Sequence, residues 1–84
     1  MDIQNKSKDI IRCFLSEAVD QGRLDSFFVS YSETMKSTGI DNKNLFSICL
    51  QYLSDKHLIQ IVRSDDEDSH LVKMFFGAID FIET

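Results

Sequence analysis

The side chains that could bind a ligand or support catalysis in this chain are four consecutive acids, two histidines and two cysteines. The run Asp65-Asp66-Glu67-Asp68 lies between two apolar stretches, "LIQIVRS" and "SHLVKMFF". An acidic loop of this kind can bind calcium when a glycine stands at its sixth position and a glutamate at its twelfth. Counted from the first acid, those positions are His70 and Phe76. The spacing excludes an EF-hand and leaves open only a weak, adventitious divalent site.

The histidines and cysteines give no sign of a metal or catalytic centre. Their positions, 13, 49, 57 and 70, match no zinc-ligand spacing. Cys13 and Cys49 lie on apolar stripes, where free thiols pack as small hydrophobic side chains. His57 ends a predicted helix, where a cation interacts well with unpaired carbonyl groups. With only three glycines, no phosphate-binding loop is present, so we expect no enzymatic activity, no metal and no cofactor.

Composition indicates one small globular domain whose acidity is concentrated at one place. The 84 residues are 43% hydrophobic, and nine Lys and Arg against fourteen Asp and Glu give a net charge of −5. Four of the acids belong to the 65–68 run, so the rest of the chain carries nine cations against ten acids. A nucleic-acid-binding domain usually has a clustered basic surface, which this sequence does not show. No apolar run could cross a bilayer and residues 1–9 lack a signal-peptide stretch, so we expect a cytoplasmic protein.

Two well-defined amphipathic patterns and one capping motif predict three helices. Apolar residues at helical spacing predict helix 1 over residues 7–21, with an apolar stripe formed by Ile10, Ile11, Phe14, Leu15, Ala18 and Val19. Ser30 and Glu33 have the spacing of a capping box, which predicts helix 2 over residues 30–38. Helix 3 is predicted over residues 42–56 with Asp41 as its N-cap and an apolar stripe formed by Leu45, Ile48, Cys49, Tyr52 and Leu53.

The remaining segments favour β-structure and a short end piece. Residues 24–31, "LDSFFVSY", are ambiguous, because their bulky side chains suit a short strand and could equally lead into helix 2. Residues 58–76 are rich in β-branched and aromatic side chains on both sides of the acids, which predicts a hairpin. Residues 77–84 are expected to form a short tail helix or an extended end.

This order of elements resembles a winged helix-turn-helix domain. The resemblance is carried by residues 32–83, most directly by "YLSDKHLI" (52–59), which closes helix 3 and starts the wing, and by "GAIDFIE" (77–83) after it. It is strongest to small winged-helix proteins of Gram-positive bacteria and their phages. It implies an α+β winged helix-turn-helix fold, with three helices, a C-terminal β-hairpin wing and a short tail helix, in one domain spanning residues 1–84.

In DNA-binding members of such domains, helix 3 enters the major groove and the wing touches the backbone. The resemblance then places candidate base-reading side chains at Asn42, Lys43, Asn44, Ser47 and Gln51. Candidate phosphate contacts are Lys43, Arg63 and Lys73, with Lys36 and Lys56 as further candidates. The implied function is a transcriptional regulator or phage-type accessory factor that binds double-stranded DNA. A merely solvated helix face carries the same residue types, and that interpretation stays open.

The acidic run conflicts with DNA binding, because four carboxylates repel phosphates. The wing could point away from DNA, the acids could suppress non-specific binding, or the domain could bind a protein partner instead. The simplest interpretation of the run is a solvated turn that discourages strand pairing.

Phenylalanine is abundant for so small a core, at positions that include Phe27, Phe28, Phe75, Phe76 and Phe81. These side chains are expected to fill the core, and any that stay exposed would mark an interface with a protein partner or a homodimer interface.

Overall fold

Within residues 2–83, which the computed structural model describes, four helices and one three-stranded antiparallel sheet form a small α+β domain. The helices are α1 (Ile3–Gln21), α2 (Tyr31–Thr38), α3 (Lys43–Asp55) and α4 (Phe76–Ile82). The strands are β1 (Phe27–Val29), β2 (Ile59–Ser64) and β3 (His70–Met74), in the spatial order β1-β3-β2. None of the helices described is both long and apolar enough to cross a membrane.

Helix α1 is longer than the sequence pattern predicts and lies at the centre of the core. It starts at Ile3 because Asp2 is its N-cap and accepts a hydrogen bond from the Asn5 amide at 3.0 Å. It ends at Gly22, whose φ of 71° is the left-handed conformation that glycine adopts without strain. Val19, predicted to belong to the apolar stripe, is instead 70% exposed, so the buried stripe stops one residue earlier, at Ala18.

The capping of α3 differs from the prediction. Asn42 is its N-cap, and the side-chain oxygen accepts hydrogen bonds from the Asn44 and Leu45 amides at 2.9 and 3.2 Å. The expectation that Asp41 caps this helix is therefore wrong. The buried face of α3 is also displaced from the predicted stripe, since Phe46 is buried while Ile48 is 45% exposed.

Helix α3 ends in a Schellman motif. The His57 amide donates to the Ser54 carbonyl and the Leu58 amide donates to the Leu53 carbonyl, both at 3.0 Å. This geometry puts His57 in the left-handed region, at φ 59°. A non-glycine residue is strained there, because its Cβ approaches the following carbonyl group.

We expect His57→Gly to raise the free energy of unfolding by about 0.5–1 kcal/mol, since glycine removes that strain. Urea denaturation measures the change. The matched control is Lys56→Gly at the preceding residue, where φ is −85° and glycine should lower stability through its greater freedom in the unfolded chain. If both substitutions change the free energy of unfolding in the same direction, His57 is not strained in the folded chain.

The third strand, β1, is the main departure from the predicted hairpin wing. It pairs with β3 in register Phe27↔Val72 and Val29↔His70, while β2 pairs with the other side of β3. The fold is therefore not three helices followed only by a C-terminal hairpin, because residues from between α1 and α2 extend the sheet. On its free edge β1 is covered by Gln21, which donates to the Phe28 carbonyl at 2.8 Å and accepts from the Phe28 amide at 2.9 Å.

The sheet buries one face against the helices and leaves the other in solvent. Directly opposed residues share a face, so the register puts Phe27, Val72 and Ile61 in one row towards the core. The Phe27 ring meets the Phe14 ring of α1 edge-on, with 6.3 Å between centroids, and both side chains are fully buried. The row Phe28–Leu71–Arg63 lies on the outer face.

Candidate functional site

The turn between β2 and β3 is fixed to the start of α2 by Asp68. This residue has a φ of 57°, and its carboxylate lies at the helix N-terminus, where amide groups have no partner inside the helix. It accepts hydrogen bonds from the Tyr31 amide at 3.0 Å, from the Ser32 amide at 3.1 Å and from the Ser30 hydroxyl at 2.6 Å. The Ser32 hydroxyl donates to it as well.

These bonds stabilise the charged form of Asp68. The hydroxyl groups of Ser30 and Ser32 make the largest contributions, and they hold the pKa of Asp68 well below its ordinary value. Burial opposes the effect, while the Ser32 amide and His70 add to it. The carboxylate therefore joins two elements that lie more than thirty residues apart in sequence, and Ser30 at the same time caps α2 by accepting from the Glu33 amide at 3.2 Å.

His70 completes this contact from β3. Its ring stacks on Tyr31 with 3.5 Å between centroids and an interplanar angle of 6°. Nε2 lies 3.1 Å from Asp68 Oδ1, and Nδ1 lies 2.8 Å from the Ser64 hydroxyl. Burial raises the pKa of Tyr31, and the hydrogen bond with Ser64 partly opposes the rise.

Ser64, His70 and Asp68 follow one another in hydrogen-bond contact, as a nucleophile, base and acid would. The amides of Tyr31 and Ser32 both donate to Asp68. The same contacts hold the turn against the start of α2.

The other acids of the turn differ from Asp68. Asp65 Oδ1 accepts hydrogen bonds from the Glu67 and Ser69 amides at 2.9 and 3.2 Å, which shapes the turn itself. Asp66 and Glu67 are exposed. The interpretation of the whole run as a solvated tip is therefore correct for these two residues and wrong for Asp68.

A cleft of about 600 Å³ opens between this turn and the first turns of α2 and α3. We call it the acidic cleft. Its apolar wall is formed by Tyr31, Met35 and Phe46. Its polar lining residues are Ser32, Lys43, Ser47, Asp65, Asp66, Asp68 and His70. Lys43 is the only lysine or arginine among the lining residues, so acids outnumber cations there.

The predicted DNA-contacting side chains of α3 have different surroundings. Lys43, Asn44, Ser47 and Gln51 are exposed, and Lys43 and Ser47 line the acidic cleft. Asn42 is exposed too, but its side-chain oxygen caps the helix, which leaves only its amide nitrogen for a base.

The two predicted phosphate contacts of the wing lie on a different surface. Arg63 is opposite Leu71, and Lys73 is opposite Gln60. Both cations therefore belong to the outer face of the sheet, whereas His70, the neighbour of Leu71, points towards the cleft. The Lys73 ammonium group lies 5.0 Å from the centre of the Phe75 ring. The structure thus places Arg63 and Lys73 on one face of the sheet, and neither lines the acidic cleft to which Lys43 belongs.

Two of the five singled-out phenylalanines are exposed. Phe76 is 77% exposed and Phe28 is 48% exposed, whereas Phe27 is fully buried. Phe75 and Phe81 are half-buried. Both cysteines are free thiols, Cys49 buried and Cys13 half-buried.

Comparison of the chain with protein-family models, with curated proteins and with solved structures found no significant match. Chemistry is therefore assigned from the side chains alone. The residues that sequence reasoning missed are Ser30, Ser32 and Tyr31 as partners of Asp68. The only sequence signal for them is the pair of serines flanking the first residue of α2, which indicates a helix start without naming a distant partner.

The low pKa of Asp68 predicts a specific loss of stability in acid. The folded state holds this carboxyl ionised more strongly than the unfolded chain, whose pKa is about 4. Its contribution is therefore present above about pH 4 and decreases as the pH falls towards the folded-state pKa. In urea denaturation at pH 7, 5 and 3, the free energy of unfolding should decrease more steeply with falling pH for the natural chain than for Asp68→Asn. Equal slopes would show that Asp68 has no part in acid sensitivity.

Proposed function

We propose that the chain is a winged-helix protein-interaction module, in which α2 and α3 form the helix-turn-helix and β2 and β3 the wing. In support, a four-residue connection (39–42) joins α2 to α3, with Gly39 in the left-handed conformation at φ 74°. An antiparallel hairpin follows α3, as in that class of domain. Free thiols at Cys13 and Cys49 suit a reducing compartment, so the proposed location is the cytoplasm.

The separation of the cations carries the preference for a protein partner over DNA. Duplex binding requires a run of positive side chains along a backbone of phosphates. Here Lys43 lies beside Asp65 and Asp66 in the acidic cleft, while Arg63 and Lys73 are on the outer face of the sheet. A phosphate backbone that contacts Lys43 on α3 would therefore also meet carboxylates of the same cleft.

Fluorescence anisotropy with labelled random-sequence duplexes tests the proposal. At about 50 mM salt, where electrostatic binding is strongest in ordinary buffers, we expect no saturable rise in anisotropy. A photo-crosslinking amino acid in place of Ser47, introduced in the native host cell, should form adducts with protein. Adducts with DNA, or salt-dependent duplex binding in vitro, would overturn the proposal.

Duplex DNA binding through α3 is the second candidate function, as a transcriptional regulator or phage-type accessory factor. It is favoured by the exposed polar side chains of Asn44, Ser47 and Gln51 on one helix. If the anisotropy experiment does detect binding, Lys43→Gln and Gln51→Ala should weaken it. Gln4→Ala, an exposed glutamine on α1, is the matched control and should have no effect.

Homodimer formation is a further way to cover the exposed rings of Phe28 and Phe76. Sedimentation equilibrium over a hundredfold concentration range distinguishes a homodimer from a monomer. A dimer that dissociates on Phe76→Ser would place the dimer contact at the start of α4. A monomer at all concentrations would contradict homodimer formation through Phe28 and Phe76.

A further inference from the structure

We infer that the acidic cleft binds a short protein segment that presents a lysine or arginine next to an apolar side chain. This inference rests on the proposed interaction function and names the partner chemistry of one surface. The cleft is lined by apolar side chains and by carboxylates, so a segment with only a cation or only an apolar group would contact one kind of lining residue and leave the other without a partner.

The apolar wall supplies the first part of the argument. Tyr31, Met35 and Phe46 line the cleft from neighbouring turns of α2 and α3, and the Tyr31 and Phe46 rings meet edge-on with 5.4 Å between centroids. Met35 is half-buried, and its flexible thioether adapts to differently shaped apolar groups. An apolar side chain of a partner would remove this wall from water, which is the main source of affinity in small clefts.

Charge selects the neighbour of that apolar side chain. Asp65 and Asp66 line the cleft against a single cation, Lys43. Asp68 already accepts hydrogen bonds from the start of α2 and from His70, and Asp65 Oδ1 accepts two backbone bonds, so Asp66 and the second carboxylate oxygen of Asp65 remain for a partner. The net charge of −5 adds a long-range attraction for a basic segment and opposes an acidic one.

Hydrogen bonds within the chain hold the acidic turn beside the cleft in place. Asp68 holds the turn against α2, and the hydrogen bonds from the Glu67 and Ser69 amides orient the Asp65 side chain, which lines the cleft. A partner therefore has no turn to order on binding, which lowers the entropic cost of association.

A selection experiment tests the inference on the full chain. A phage-displayed library of random 12-residue peptides is selected on the protein at about 50 mM salt. We expect enriched peptides to share an arginine or lysine within four residues of a leucine, methionine or aromatic residue. In ¹⁵N spectra such a synthetic peptide should shift the amide signals of Ser32, Met35, Ser47 and Asp66.

Surface variants with opposite expected signs give the controls. Asp66→Asn should weaken the affinity of an enriched peptide about threefold, and Lys43→Gln should strengthen it about twofold, as expected for exposed charge pairs. Asp20→Asn, which removes an exposed acid from α1, should leave the affinity unchanged. All three positions are exposed, so none of these changes should unfold the chain.

Several results would overturn the inference while leaving the proposed function intact. These are enrichment of acidic or uncharged peptides, shifts confined to the outer face around Phe28 and Leu71, or no enrichment at all. An equal loss of affinity in Asp66→Asn and Asp20→Asn would indicate attraction by net charge alone and would overturn it as well. Failure of the proposed function is distinct, because it appears as duplex DNA binding.

Discussion

Replacing Asp68 with alanine is expected to lower the free energy of unfolding by about 2 kcal/mol and the melting temperature by about 10 °C. The carboxylate accepts two backbone and two hydroxyl hydrogen bonds at the start of α2 and one from His70. A lost helix cap alone is worth about 1 kcal/mol, and bonds to a charged acceptor are worth more than bonds to a neutral one. The side chain is 37% exposed, so solvent replaces part of what is lost and keeps the effect near 2 kcal/mol.

Urea denaturation at pH 7 measures the change, with two matched variants from the same chain. Asp66→Ala removes an exposed acid from the same turn and should change stability by less than about 0.5 kcal/mol. Asp68→Asn retains an oxygen acceptor but no charge, and should fall between the natural chain and Asp68→Ala. If Asp66→Ala and Asp68→Ala are equally stable, the contact between the turn and α2 contributes nothing to folding.

Capping residues in the sequence predicted helix ends well where the cap and the helix end lie within a few residues of each other. Ser30 caps α2 and accepts from the Glu33 amide, as the spacing of these residues indicates. Gly22 and Gly39 end their helices in the left-handed conformation. Two helix starts are exceptions. Helix α1 begins at Ile3, before the predicted residue 7, and at α3 the adjacent Asp41 and Asn42 are both good caps, so sequence alone could not choose between them.

The role of Asp68 could not be predicted because it depends on contacts 36 to 38 residues away in sequence. Four like residues in a row have the same local preference, and only the register of β2 against β3 decides which one turns inwards. That register contains a shift between Ile61 and Arg63, which adds one residue to β2 before the turn. No periodicity in the sequence indicates this irregularity.

The acidic cleft could not be predicted from the sequence either, because it depends on contacts between elements that are distant in sequence. Its walls come from α2, α3 and the turn, and a pattern along one helix cannot show what faces it. The sequence did indicate that Lys43 and Ser47 are exposed on α3. It could not show that Lys43 lies beside acids, or that Arg63 and Lys73 share the outer face of the sheet.

Strand β1 was ambiguous in the sequence because three residues are too few to show an alternating pattern. In the structure, Phe27 and Val29 are buried and Phe28 between them is exposed, which is the alternation of a strand. What makes the segment a strand is its pairing with β3, a contact over more than forty residues of sequence.

Phe27→Ala is expected to be the most destabilising of the substitutions considered, with a loss of about 3–5 kcal/mol. The side chain is fully buried, meets Phe14 of α1 edge-on and stands opposite Val72 in the inner row of the sheet. Its removal leaves a cavity where α1 packs against β1. Neither the Phe14 ring nor the sheet can move into this cavity without breaking the pairing of β1 with β3. For a domain of this size the loss approaches the whole stability, so Phe27→Leu, with an expected loss of about 1–1.5 kcal/mol, keeps the measurement within range.

The adjacent residue provides the control, because Phe28→Ala removes the same ring from the opposite face of the same strand. Phe28 is 48% exposed, and its loss should lower stability by less than about 1 kcal/mol. Thermal unfolding followed by circular dichroism compares the variants directly. A large effect at Phe27 and a small one at Phe28 would establish β1 as part of the folded sheet in solution, whereas equal effects would show that this strand does not alternate between core and solvent.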